Sequence, residues 1–189
     1  MLGELPRALE INGHEYPIDS DYRNILAIFS AFNDDELTDA EKGYVCLNRL
    51  YDTVNFSEED IEEAYRKAVG FINYMPSGKK SQKKFIDWEK DEQLIFPALN
   101  AVAGTEVRLL PYMHWWTFMG YFQNIESESL FGTVLSIRQK RAKGKKLEKW
   151  EKEFEHNNLE LISIENKKVN VEDKMASLFD SLPDEEEGE

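Results

Sequence analysis

Residues Pro111 to Phe122 read PYMHWWTFMGYF, and six of these twelve are Tyr, Trp or Phe in an otherwise hydrophilic, acidic chain. Laid on a helix at about 100° per residue, Tyr112, Trp115, Trp116, Phe118, Met119, Tyr121, Phe122 and Ile125 sweep a wide apolar arc. Met113, Thr117, Gly120 and Asn124 are left on the narrow remainder. A helix that is apolar on most sides must be surrounded on most sides. Pro111 suits its first turn, where the N–H that proline lacks has no intrahelical partner. The stretch predicts a central helix with Tyr112, Trp115, Trp116, Phe118 and Phe122 in the core, and so a mainly α-helical fold.

Outward from this helix the helical pattern continues. After the polar turn at Glu126–Glu128, Leu130, Val134 and Ile137 form a stripe leading into Arg138, Lys140, Arg141 and Lys143, cations well placed at a helix C-terminus. Gly144 breaks that helix. From Lys145, KKLEKWEKEF predicts a short helix with Leu147, Trp150 and Phe154 on a narrow stripe and Glu148 paired to Lys152 at i,i+4. On the other side a helix is expected from Asp87 to Gly104 through Trp88, Leu94, Ile95, Leu99 and Val102, with a kink or break at Pro97.

Pro76-Ser77-Gly78 and the four lysines between 79 and 84 read as an exposed connection. Before it, Ser57 with Glu58, Glu59 and Asp60 opens a helix carrying Ile61, Ala64, Tyr65, Ala68, Phe71 and Ile72. Thr38 and Glu41 form a capping box, each satisfying an orphan amide of a helix that presents Val45, Leu47, Leu50, Tyr51 and Val54. Asp19 or Ser20 is expected to cap a helix with Tyr22, Ile25, Leu26, Ile28 and Phe29, ending near Asn33-Asp34. Asn12-Gly13, between alternating Leu9, Ile11, Tyr16 and Ile18, predicts a short β-hairpin, because both residues tolerate the positive φ of a tight primed turn. The expected architecture is a compact multi-helix domain over residues 1–164 with an N-terminal β-hairpin. A disordered acidic tail is expected over 165–189.

With 189 residues and 41% apolar composition the chain can bury a substantial core. Its net charge is -14, and residues 165–189 carry nine acids against three bases, so the rest of the chain is also acidic. Such a surface repels nucleic-acid phosphates and anionic lipid and favours basic protein partners. Cys46 is the lone cysteine, which excludes an intramolecular disulfide framework and fits a reducing compartment. MLGELPRALEING contains no uninterrupted apolar run of the kind a secretory signal needs. The greasiest segment, LIFPALNAVAG, falls short of the roughly 20 residues of a bilayer helix.

The search for chemistry returns little. His14, His114 and His156 are scattered, and with Cys46 they show no compact metal-ligand spacing. His114, inside the aromatic arc, reads as a neutral core histidine with one hydrogen bond. Gly78-Lys79-Lys80 and Gly144-Lys145-Lys146 lack both the spacing and the preceding strand of a phosphate loop. The acids fall on solvent-facing helix positions, where solvation explains them better than acid–base catalysis. No catalytic residue, cofactor or metal is expected. The basic cluster from Arg138 through Lys140 and Arg141 to Lys149 reads as a patch for an acidic protein partner or for the chain's own acidic tail.

Tyr112-Met113-His114-Trp115-Trp116-Thr117-Phe118, followed by Ile137-Arg138-x-Lys140-x-x-x-Gly144-Lys145-Lys146-Leu147-x-x-Trp150-Glu151, resembles the Gp15 family of bacteriophage proteins. The resemblance runs from the hairpin to about residue 160. It implies a gene among the tail genes of long-tailed phages and prophages of Gram-positive bacteria, between the tail-tube and tape-measure genes. That place implies a tail assembly chaperone, which would keep a tape measure or tube protein soluble in the host cytoplasm during morphogenesis. The alternative is a structural tail or connector component retained in the virion; an enzyme with an unrecognised helical site ranks behind both.

Partner-binding residues are expected in two places. Trp150, on a short helix with a narrow stripe, and the cations Arg138, Lys140 and Arg141 form one. Met175, Leu178, Phe179 and Leu182, spaced i, i+3, i+4 and i+7 in the acidic tail, form the other if they are a motif that folds into a partner's groove; the alternative is a solubilising tail with a few stray apolar residues.

Overall fold

The computed structural model describes residues 3–52, 56–73 and 85–164. The expected tail over 165–189, Val54 and the lysine-rich connection lie outside them. The described residues gather into two compact units, one within Met1–Pro76 and one within Ser77–Lys168. Among the described residues the fold is mainly helical, with eight α-helices, a 3₁₀ turn and one antiparallel hairpin.

In the first unit, β1 (Ala8–Ile11) and β2 (His14–Pro17) pair in the register Ile11↔His14, and Asn12 and Gly13 take φ of 47° and 83° between them. That is the tight turn the Asn-Gly pair permits. The chain then forms α1 (Tyr22–Asn33), α2 (Asp39–Leu50) and α3 (Glu58–Ile72). The α1 cap is Asp21, not Asp19 or Ser20: its carboxylate accepts from the Arg23 amide at 2.9 Å, while Asp19 accepts from the Asp21 amide at 3.1 Å. At α2 the capping box closes both ways, with Glu41 accepting from the Thr38 amide at 2.7 Å and Thr38 Oγ1 from the Glu41 amide at 3.3 Å. Ala64 and Ala68 are fully buried, which lets α3 lie close against α2 and β1. Tyr51 is buried beside them and donates its hydroxyl to the Ala64 carbonyl at 2.8 Å.

In the second unit, α4 (Glu92–Ala103) starts five residues later than the expected start at Asp87. Asp87 and Asp91 turn the chain first: the Asp91 amide donates to the Asp87 carbonyl at 2.8 Å, and the Asp87 amide to the Asp91 carboxylate at 2.9 Å. The helix also runs unbroken through Pro97. The proline is solvent-exposed, and the carbonyl it deprives of a donor, that of exposed Gln93, lies where water can replace the amide. Gly104 ends the helix in the left-handed region at φ 69°. A 3₁₀ turn (Val107–Leu109) follows, held by Asn100, whose side chain accepts from the Val107 amide at 3.0 Å.

The aromatic helix is α5 (Trp115–Gln123), and it begins at Trp115 because His114 is its cap: His114 Nδ1 accepts from the Trp116 amide at 3.0 Å. Pro111 and Tyr112 therefore precede the helix, and the arc stops describing them. Tyr112, expected in the core, is 43% exposed, whereas Met113, expected on the outer remainder, is buried. Trp115 and Phe118 are buried and stack at 5.6 Å between ring centroids; Trp116 and Phe122 are half-buried. Phe122 bridges to Trp88 at 5.0 Å and to Phe131 at 5.6 Å, which ties the helix to its neighbours on both sides.

Three helices complete the unit: α6 (Leu130–Ala142), α7 (Lys149–Asn157) and α8 (Leu159–Ile162). Ser129 Oγ caps α6 by accepting from the Gly132 amide at 3.0 Å. Gly132 is required there, since a Cβ would lie 2.5 Å from the Glu126 carbonyl oxygen and 2.7 Å from that of Ser127.

Candidate functional site

The C-terminal half of α6 carries the cations expected to face a partner. Arg138 does not face outward. It is buried, and all five of its N–H groups are used inside the unit. Nη1 and Nη2 bind the two oxygens of Asp91 at 2.7 and 2.8 Å; Nη1 also donates to the Phe85 carbonyl at 3.0 Å, Nη2 to that of Leu161 at 2.5 Å and Nε to that of Ile162 at 3.2 Å. One side chain thus joins residues 85–91, α6 and the segment after α7. A buried guanidinium needs such saturation, because its desolvation is offset only when a counter-charge and acceptors surround it.

Lys140 and Arg141 are committed in the same way. Lys140 Nζ donates to Glu151 Oε1 at 2.5 Å, and the other Glu151 oxygen accepts from the Glu148 amide at 2.9 Å, capping α7. The hydrogen bond from Lys140 holds the buried Glu151 carboxyl below its usual range. Arg141 grips Glu155 through Nε and Nη2, and the Nε contact, 2.7 Å, pulls that carboxyl down too. Lys90 Nζ adds a bond to the Ser163 carbonyl at 2.9 Å. Beneath these ties Val134, Ile137, Leu147 and Ile162 form a buried apolar cluster with Leu94, Phe154 and Leu161 packed on it.

Arg141 stays exposed although it is paired, and the cations left without an ion pair are fewer than the stretch from Arg138 to Lys149 holds. Lys143, Lys145, Lys146 and Lys149 are exposed, and no ion pair joins them to another described residue. Beside them Trp150 is 53% exposed, with its indole N–H donated to Glu148 Oε2 at 2.9 Å. Glu148 was expected to pair with Lys152; it orients the indole instead. Met175, Leu178, Phe179 and Leu182 lie outside the described residues.

Leu147 and Phe154 point inward as expected, but the residue that shares their buried side is Glu151, not Trp150. Glu151 stands four positions after Leu147 and three before Phe154, so it fits the stripe as well as Trp150 does. Its acidity hid it. Elsewhere, His114 has its Nδ1 occupied by the Trp116 amide, and burial pushes the Cys46 thiol up to about 12, where it stays protonated at neutral pH. Among the described residues no three His, Cys, Asp or Glu side chains gather as metal ligands, and no helix is long and apolar enough to cross a membrane.

The arrangement is one of structural ties around a small basic, aromatic surface. Compared with known proteins, residues 1–163 match the family model described as "Bacteriophage Gp15 protein". No curated protein and no solved structure matches the chain.

Proposed function

The chain belongs to the bacteriophage Gp15 family, and from that premise we propose that it is a tail assembly chaperone, a non-enzymatic protein that binds a tape-measure or tail-tube protein in the host cytoplasm and leaves before the virion matures. The observation that carries this reading is the charge of the first unit. Residues 1–76 hold 16 Asp and Glu against 6 Lys and Arg, so -10 of the net charge of -14 sits on one folded unit. A surface of that sign keeps a complex soluble and attracts a basic partner at long range. The pairing of Arg138, Lys140 and Arg141 with Asp91, Glu151 and Glu155 supports a binding role over a catalytic one, because each of these carboxylates is engaged by a cation within the unit.

The test has two arms. In cells infected with a phage lacking this gene, tail yield and the soluble fraction of the tape-measure protein should both fall and be restored by supplying the protein in trans. Mass spectrometry of purified particles should find it depleted. Retention at fixed stoichiometry would overturn the chaperone reading and mark a structural tail or connector component.

A further inference from the structure

The exposed surface at the α6–α7 junction has two properties that rarely coincide. Lys143, Lys145, Lys146 and Lys149 put four cations within seven residues, and Trp150 adds a half-exposed indole whose orientation is already set by Glu148. Four unpaired ammonium groups repel one another, so an anion that settles among them relieves that repulsion as well as gaining attraction. A pre-oriented indole loses little side-chain entropy when an apolar group covers it. An occupant matched to this surface is acidic and amphipathic, with an apolar stripe for Trp150 and carboxylates for the lysines.

Such a segment exists in the same chain. Met175, Leu178, Phe179 and Leu182 are spaced i, i+3, i+4 and i+7, followed by Asp184, Glu185, Glu186 and Glu187, within residues 165–189 that carry nine acids against three bases. Reach is not limiting. The last described residue, Ile164, follows α8, which packs on both α6 and α7, the helices flanking the lysines. The ten residues 165–174 can span about 35 Å when extended, against a radius of gyration of about 12 Å for a unit of this size. A tethered segment also meets its site at an effective concentration on the order of millimolar, well above that of a second copy in dilute solution.

We propose that residues 175–187 dock within their own chain on the surface formed by Lys143, Lys145, Lys146, Lys149 and Trp150, covering the indole and neutralising the lysines. The docking does not depend on the chaperone reading.

The experiment follows the Trp150 indole N–H resonance of the full-length protein, assigned with Trp150→Phe. At low salt, Leu178→Ala/Phe179→Ala and, separately, Asp184→Lys/Glu185→Lys/Glu186→Lys/Glu187→Lys should shift that resonance to one common position, and about 0.5 M NaCl should shift the unaltered protein toward it. Combining the lysine-bearing tail with Lys145→Glu/Lys146→Glu/Lys149→Glu should restore salt-sensitive docking, with melting temperature unchanged throughout. A Trp150 resonance that ignores both tail variants overturns the proposal. So does a resonance that moves on tenfold dilution, which would assign the surface to a second copy.

Discussion

Arg138 and Asp91, 47 positions apart in sequence, meet as a buried two-pronged ion pair with contacts of 2.7 and 2.8 Å. Neither charge is stable there without the other, and that asymmetry governs how the second unit should fail.

Removing one partner should therefore be far worse than removing both. Arg138→Met or Asp91→Leu alone leaves an uncompensated buried charge and should cost about 3–5 kcal/mol, while the double variant should recover a large part of that loss. Arg138→Lys should not rescue, since an ammonium cannot reproduce five donors in a fixed fork. Thermal or urea unfolding of the four proteins checks this; equal losses in single and double variants would contradict it.

Gly132 and Gly120 offer opposite outcomes for one substitution. Gly132→Ala forces a Cβ to within 2.5 Å of the Glu126 carbonyl oxygen, backbone that cannot step aside cheaply, and should destabilise by about 1–3 kcal/mol. Around the α5 residue Gly120 nothing lies within 4 Å, and Gly120→Ala should stabilise by up to about 1 kcal/mol through helix propensity. Two melting curves suffice to compare them.

The aromatic stretch should divide sharply on alanine substitution. Trp115, fully buried against Phe118, should cost about 3–5 kcal/mol. Tyr112, 43% exposed and ahead of the helix, should cost about 1 kcal/mol or less. If Tyr112→Ala matched Trp115→Ala in chemical denaturation, the late helix start would be wrong.

Acid should loosen α7. Glu151 and Glu155 are held below the ordinary carboxyl value of 4.5 by Lys140 and Arg141, so folding favours their ionised forms. Their contribution is complete above that value and is lost as pH falls below it through the folded-state titrations. Stability measured from pH 6 downward should decline in this window, and Lys140→Met should flatten the decline. A slope unchanged by Lys140→Met would assign the acid sensitivity elsewhere.

What could be read before the fold was known is what local chemistry decides. The Asn12-Gly13 turn and the Thr38–Glu41 box are settled within four residues, and each formed as its residue types require. The start of α5 was misplaced because a histidine, not a usual capping residue, takes the cap, and the residues ahead of it happen to continue an aromatic pattern. Arg138 looked like a cation complementing a helix end. Its partner comes from a different helix cap, and no periodicity within α6 points there. Glu151 beside Trp150 failed for the same reason: both fit the stripe of Leu147 and Phe154, and Lys140 on the neighbouring helix decides which turns in.

The guanidinium of Arg138 holds the Phe85 carbonyl with one nitrogen and the Leu161 carbonyl with the next. Entry to and exit from this stretch of chain are thus a few ångström apart, brought together on a single side chain. A unit whose ends are held this close should tolerate circular permutation, its ends joined and the chain cut at the exposed Gly144 turn.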